Sequence, residues 1–291
     1  MDTGVPMQTV TCRNLEFDVW TEGSPSAEPV VLLHGFPQDA TSWRRIAARL
    51  AVKGFRTLAP DQRGYSPGAR PPGAGSYRLA LLTQDVLDLA DVCGFEWFHV
   101  VGHDWGGAVA WSLAARHPGR VASLTSLSTP HPTAYVRALY TSPQLIRSLY
   151  FPLLALPYVP ERLLGARHGL LLERGLLAAG LDPGAARRYA RRLSSPGALS
   201  AALNWYRAAL LPGAAQVFSA VRCSTLLLWG SKDAAVDRRA VEASSRHVDG
   251  PYHLEVLHGA GHWLPENHSD AVVPVLVDHL LRAATGPNRR A

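Results

Sequence analysis

The chain has 291 residues with 29 basic against 23 acidic side chains, a formal net charge of +6, and Lys53 and Lys232 are its only lysines. Apolar residues make up 47% and charged residues 18%, which excludes a disordered or collagen-like chain and leaves enough apolar matter for one large domain or two moderate ones. The three cysteines, Cys12, Cys93 and Cys223, are odd in number and far apart, which excludes a disulfide framework or a C-x-x-C zinc site and fits a reducing, cytoplasmic setting.

Met1–Val10 lacks a continuous apolar run, so no secretory leader is expected. No stretch reaches the roughly 20 apolar residues of a membrane-spanning helix, so no membrane partner is expected either. Gln8–Trp20 alternates loosely and ends at Glu22-Gly23-Ser24-Pro25, predicting a β-hairpin and a turn. Pro29–Leu33 is a short continuous apolar run, the pattern of a strand buried on both faces. Trp43–Val52 has helical periodicity closed by Gly54, Phe55–Ala59 reads as a strand, and Asp61–Gly75 is rich in turn residues. A helix over Leu79–Val92, a strand over Phe98–Gly102, a helix over Gly106–Arg116 and a strand over Val121–Leu127 follow. From Thr129 to Pro212 the pattern is helical throughout, cut into short pieces by prolines. The strand–helix rhythm then resumes with Thr225–Trp229, Arg238–His247, His253–Leu257 and Asp270–Ala284.

Strands alternating with helices imply an α/β fold, with a mostly parallel central sheet covered by helices on both faces. The expected organisation is a core of residues 1–129 and 213–291 with a helical insertion, 130–212, between its halves. Charge is segregated with it. Residues 137–207 contain ten arginines against Glu161, Glu173 and Asp182, a local net charge of +7, which leaves −1 for the rest. Arg187, Arg188, Arg191 and Arg192 are expected to form one exposed, solvated face.

Gly102-His103-Asp104-Trp105-Gly106-Gly107 joins a predicted strand to a predicted helix. Small residues flank the centre of such a turn because the backbone is crowded there, and the central side chain is held out beside a helix N-terminus that favours an anion. The pattern is a nucleophile elbow with aspartate in place of serine, although Asp104 as a plain N-cap would also explain it. His34-Gly35-Phe36-Pro37 follows the first buried strand, where backbone N–H groups of Phe36 and Trp105 can form an oxyanion hole. Asp233 and His262 each follow a late strand, so the order is nucleophile, acid, histidine. Asp237 is a rival for the acid.

The segments His34-Gly-Phe-Pro-Gln38, Asp61-Gln-Arg-Gly-Tyr-Ser66, Gly102–Gly107, Asn204-Trp-Tyr-Arg207, Lys232-Asp233 and Gly261-His-Trp263 resemble the epoxide hydrolase branch of the α/β-hydrolase fold superfamily over nearly the whole chain. The resemblance implies a helical cap in the insertion and a cofactor-independent reaction of a small apolar epoxide with water. It implies catalytic roles for Asp104, His262 and Asp233, with two cap tyrosines donating to the epoxide oxygen. One is Tyr206, in Asn-Trp-Tyr-Arg. The other is Tyr150, where Leu154 and Ala155 replace the family's Phe-Gln pair and Tyr140 or Tyr158 competes. It also places His34, Pro37, Trp205 and Trp263 at the substrate site, and gives Arg63 a bracing role.

Aspartate itself narrows the chemistry. A carboxylate attacking an ester gives a labile anhydride, whereas attack on an sp³ carbon gives an ordinary alkyl ester that activated water can cleave. Haloalkane dehalogenases are similar in their aspartate and following tryptophan, but many carry asparagine where this chain has Phe36. A catalytically silent ligand-binding member of the fold is the alternative of another class. Nucleic acid is not expected, since no binding motif occurs and aromatic–basic interleaving is confined to Arg187–Arg192. Monomer and homodimer both stay open.

Overall fold

The loosely alternating N-terminal stretch folds as the antiparallel pair β1 (Gln8–Cys12) and β2 (Leu15–Glu22), joined by Arg13 and Asn14 in left-handed conformations. The computed structural model describes residues 7–213 and 219–285, so the predictions that touch Met1–Pro6, 214–218 and 286–291 lie outside the described residues. The apolar runs become β3 (Glu28–Leu33), β4 (Phe55–Pro60), β5 (Phe98–His103), β6 (Val121–Leu127), β7 (Ser224–Gly230) and β8 (Tyr252–Leu257). All eight strands form one sheet in the order β1-β2-β4-β3-β5-β6-β7-β8. β2 pairs antiparallel with β1 and β4, and every later pairing is parallel.

Between the early strands run α1 (Arg44–Val52), α2 (Leu79–Val92) and α3 (Trp105–Arg116). Then β6 gives way to α4 (Pro132–Thr141), α5 (Gln144–Arg147), α6 (Tyr150–Ala155), α7 (Val159–Leu164), α8 (Ala166–Ala178), α9 (Pro183–Leu193) and α10 (Ala198–Ala209). The last elements are α11 (Arg238–Ala243), α12 (Leu264–Asn267) and α13 (Ser269–Thr285). The helix expected over Arg238–His247 stops at Ala243. There the Ser244 hydroxyl bonds the Ala240 carbonyl and accepts the His131 N–H, and a 3₁₀ turn takes over.

The two sheet faces carry separate cores, which is why the central strands have no polar side to show. Ile46, Ala47 and Leu50 of α1 and Val272, Leu276 and Leu280 of α13 pack with Val30, Leu32 and Leu226 on one face. On the other, Leu82 and Val86 of α2 and Val109 and Leu113 of α3 pack with Val31, Leu33 and Val100. That second core runs on into the insertion through Tyr189, Leu193, Leu203 and Trp205. The insertion is thereby anchored over the carboxyl ends of the strands, where open α/β sheets place their sites.

Ion pairs reinforce the join. Arg192 of α9 reaches both Asp39 (3.1 Å) and Asp61, carboxylates that are 1% and 0% exposed. Arg188 donates to Thr41 Oγ1 at 3.1 Å and lies over the Tyr189 ring. The arginines of α9 are therefore not one solvated face. Helical periodicity turns Arg188 and Arg192, four residues apart, onto the side that meets the core. Arg63 braces the next segment as expected, holding Asp85 in a two-pronged pair at 2.6 Å and the Ser76 carbonyl at 3.0 Å.

Candidate active site

β5 ends at His103 and α3 begins at Trp105, so Asp104 makes the turn between them, at φ 51° and ψ −123°. A non-glycine residue there carries strain of about 1–3 kcal/mol that the surroundings must hold. They can do so only with glycine alongside: a Cβ on Gly106 would stand 2.1 Å from the Leu33 carbonyl oxygen, and one on Gly35 would stand 2.4 Å from Asp104 Cβ. The Asp104 side chain makes no capping bond to α3, so the N-cap explanation does not describe it. Instead Oδ1 accepts the Phe36 N–H at 2.9 Å, and the neighbouring Trp105 N–H helps to lower the carboxyl's pKa. Gln38 sets the Phe36 loop by accepting the Gly35 N–H at 2.9 Å.

His262 follows β8 and α12 begins just after it. Its Nε2 lies 3.6 Å from Asp104 Oδ2 and its Nδ1 lies 2.9 Å from Asp233 Oδ2. The other Asp233 oxygen accepts the backbone N–H groups of Ala235 (2.8 Å) and Val236 (3.0 Å). Asp237 is turned away, capping α11 through the Arg239 N–H at 3.1 Å. Of the two rival acids, Asp233 is the one that meets the imidazole. Two insertion residues that the sequence did not single out hold this loop: Arg147 donates to the Asp233 carbonyl at 2.7 Å, and Gln144 donates to the Ala235 carbonyl at 2.8 Å.

These contacts set the charge state. Burial opposes a charged His262, but the Asp233 carboxylate and the Asp104 carboxylate 3.6 Å away outweigh it and push the pKa up to about 10. Burial likewise opposes a charged Asp104, yet the His262 contact and the Trp105 N–H hold its carboxyl below the usual carboxylate range. Both shifts favour an imidazolium held between two carboxylates.

A cavity of about 610 Å³ opens over Asp104, within the range of small-molecule sites. Its wall includes Trp105, Tyr150, Phe151, Trp205, Tyr206 and His262, and it is otherwise mostly apolar. Tyr206 is buried against Trp105, with perpendicular rings 5.2 Å apart, and its ring lies 6.4 Å from that of Tyr150. Burial first, then the Asp104 charge, raises both phenols well above the ordinary tyrosine value. Tyr140 and Tyr158, the competitors for Tyr150, are 85% and 77% exposed and absent from the wall.

Three residues expected at the substrate site are not on the cavity wall. All three are buried instead. His34 is fully buried, its Nδ1 donating to the Gly35 carbonyl (3.0 Å) and its Nε2 accepting the Gln62 N–H (3.1 Å), and burial pushes its pKa down to about 4. Pro37 is buried, and Trp263 points its indole N–H at the Ala179 carbonyl, 3.0 Å away. Trp205 does reach the wall, while its N–H bonds the Arg63 carbonyl at 2.9 Å. None of the α9 arginines lines the cavity.

This sheet, this turn and this order of residues are those of an α/β hydrolase, and a family model described as alpha/beta hydrolase fold matches residues 28–269. The chain belongs to that family. It is 34% identical over 287 residues to the AB hydrolase superfamily protein YfhM of Bacillus subtilis, covering 96% of this chain and 97% of the relative. It is 33% identical to Epoxide hydrolase 3 of Xenopus tropicalis over 91% of this chain and 75% of the relative. A solved structure of epoxide hydrolases from metagenomes of hot environments superposes with a TM-score of 0.81 at 28% identity, over 94% of this chain and 98% of the other. No helix among the described residues is long and apolar enough to cross a membrane.

Proposed function

We propose that the chain is an epoxide hydrolase that converts an apolar epoxide to a vicinal diol through an ester on Asp104. The observation that carries the reading is the setting of that carboxylate. One oxygen sits on the Phe36 N–H, the other is turned toward His262, and the phenols of Tyr206 and Tyr150 line the same apolar cavity. Asp104 Oδ2 attacks a ring carbon, forming a new C–O bond as the ring C–O bond breaks and its electron pair moves to the ring oxygen. That oxygen takes a proton from Tyr206 or Tyr150, which their raised pKa values keep un-ionised until then.

The ester is neutral, so His262 loses one of the two charges that held its proton, and it returns that proton through solvent to the phenolate. Neutral His262 then takes a proton from water, and the hydroxide bonds to Asp104 Cγ. Charge develops on Oδ1, which already accepts the Phe36 N–H, with the Trp105 N–H as the second donor of this reading. Collapse releases the diol with the proton from His262, and Asp104 gives its acid proton back to His262.

In this reading residues 130–212 are a cap over a core of 1–129 and 213–291, no cofactor or nucleic acid takes part, and the free cysteines fit a cytoplasmic setting. Trapping tests it. His262→Gln with an aryl epoxide is expected to gain the epoxide's mass, mapped to Asp104. The absence of that adduct, together with full diol formation by Asp104→Ala, overturns the mechanism. Chloride release from 1-chlorohexane in a parallel assay would assign the site to a dehalogenase instead.

A further inference from the structure

Tyr135, on α4, lines the same cavity but has no part in the reaction above. Its hydroxyl lies 2.7 Å from Ser148 Oγ, and either oxygen could donate. Gln144 decides what is left over. Its Oε1 accepts the Asp237 N–H at 2.7 Å, and its Nε2 donates to the Ala235 carbonyl at 2.8 Å and to Ser148 Oγ at 2.9 Å. Ser148 therefore already accepts one hydrogen bond, and two hydroxyl protons remain for the single Tyr135–Ser148 contact. One proton is spare. Both residues line the cavity, but Ser148 is only 6% exposed whereas Tyr135 is half-buried and offers the larger surface there. The arrangement that leaves no buried donor unmade has Ser148 donating to Tyr135 and Tyr135 donating into the cavity.

We propose that Tyr135 Oη is a donor subsite for a neutral acceptor oxygen outside the epoxide ring, so that the substrate is an epoxide bearing an ether or carbonyl group on an otherwise apolar frame. The inference rests on the epoxide hydrolase reading and narrows it. A neutral acceptor fits better than a carboxylate, because the donor is uncharged and the wall already carries the Asp104 anion. Arg78, the only arginine on the wall among the described residues, turns toward the Pro212 carbonyl at 3.1 Å. Burial and the Asp104 charge keep Tyr135 in its protonated, donating form against the pull of Ser148 and Gln144.

The test compares phenyl glycidyl ether with 4-phenyl-1,2-epoxybutane, in which a methylene replaces the ether oxygen. The ratio of their kcat/KM values is measured for wild type, Tyr135→Phe and Ser148→Ala, together with the split between kcat and KM. Intrinsic reactivity cancels when ratios are compared between enzymes. Tyr135→Phe is expected to lower the ether's relative kcat/KM by about three- to tenfold, the range of one neutral hydrogen bond, chiefly through KM. A ratio unchanged in Tyr135→Phe overturns the subsite. A ratio lost in Ser148→Ala but kept in Tyr135→Phe moves the donor to Ser148 and overturns the assignment. Wild type that turns over neither compound would count against the epoxide reading itself, a failure distinct from both.

Discussion

Asp104→Asn removes one of the two carboxylates flanking His262 while keeping the side chain's size, and so imitates the loss of charge on ester formation. Nε2 of His262 stands 3.6 Å from Asp104 Oδ2, and neither side chain is more than 19% exposed. Two unit charges at that separation attract by about 4–5 kcal/mol at an effective dielectric of about 20. At about 1.4 kcal/mol per pH unit, His262 should fall from about 10 to about 7 in the variant. The measurement is an NMR titration of the imidazole, assigned by its absence in His262→Gln. Stability follows with a definite sign. Because the folded value lies above the unfolded value of 6.5, the contribution is fully present below pH 6.5 and is lost as pH rises toward 10. Asp104→Asn should shrink that decline. His262 titrating at the same pH in both proteins would refute the claim that Asp104 holds its proton, and with it the release of His262 as a base on alkylation.

Tyr206→Phe removes the proposed general acid and is expected to lower kcat/KM for a styrene-type epoxide by at least about 10², while the protein keeps its thermal midpoint within a few degrees. A loss under fivefold would leave the phenol without a catalytic role, and Tyr150→Phe in the same assay shows whether the two share the proton. Arg192→Ala leaves Asp39 and Asp61 buried and unpaired, and should cost about 3–5 kcal/mol in urea unfolding at about pH 8. Burial first, then the Asp39 charge, raises Asp61 to about 7, so at about pH 5 it is protonated and has less need of a cation. The loss should therefore be smaller in acid, and equal losses at both pH values would refute the pairing as the cause.

The elements in the sequence that carried most weight were those with a single physical explanation. Continuous apolar runs at Pro29–Leu33 and Phe98–Gly102 have no polar side to expose, so a sheet covered on both faces was legible without coordinates. Gly102–Gly107 could be read as a strained turn because only a backbone too crowded for Cβ atoms needs glycines in that pattern, and the crowding of Gly106 against Leu33 is the physical counterpart. The order of Asp104, Asp233 and His262, after β5, β7 and β8, followed from chain position alone.

Side-chain direction was another matter, because it depends on which neighbour covers which surface. His34, Pro37 and Trp263 stand beside functional residues in sequence, yet the loops fold over them and the cavity never meets them. The +6 net charge posed the same problem at larger scale. It lies in the insertion, as the sequence showed, but only packing turned Arg192 inward onto two buried carboxylates of the core. Tyr135, Gln144 and Arg147 carried no motif at all, and their places depend on α4 and α5 coming to rest against the Asp233 loop. Sequence by itself determined the sheet, the turn and which side chains stand as candidates for the reaction, since local sterics and strand burial leave marks in the order of residue types. The tertiary structure decided which phenols share a cavity with Asp104, which arginine locks the insertion and which side chains line the cavity wall, since contacts between segments distant in the chain leave no such mark.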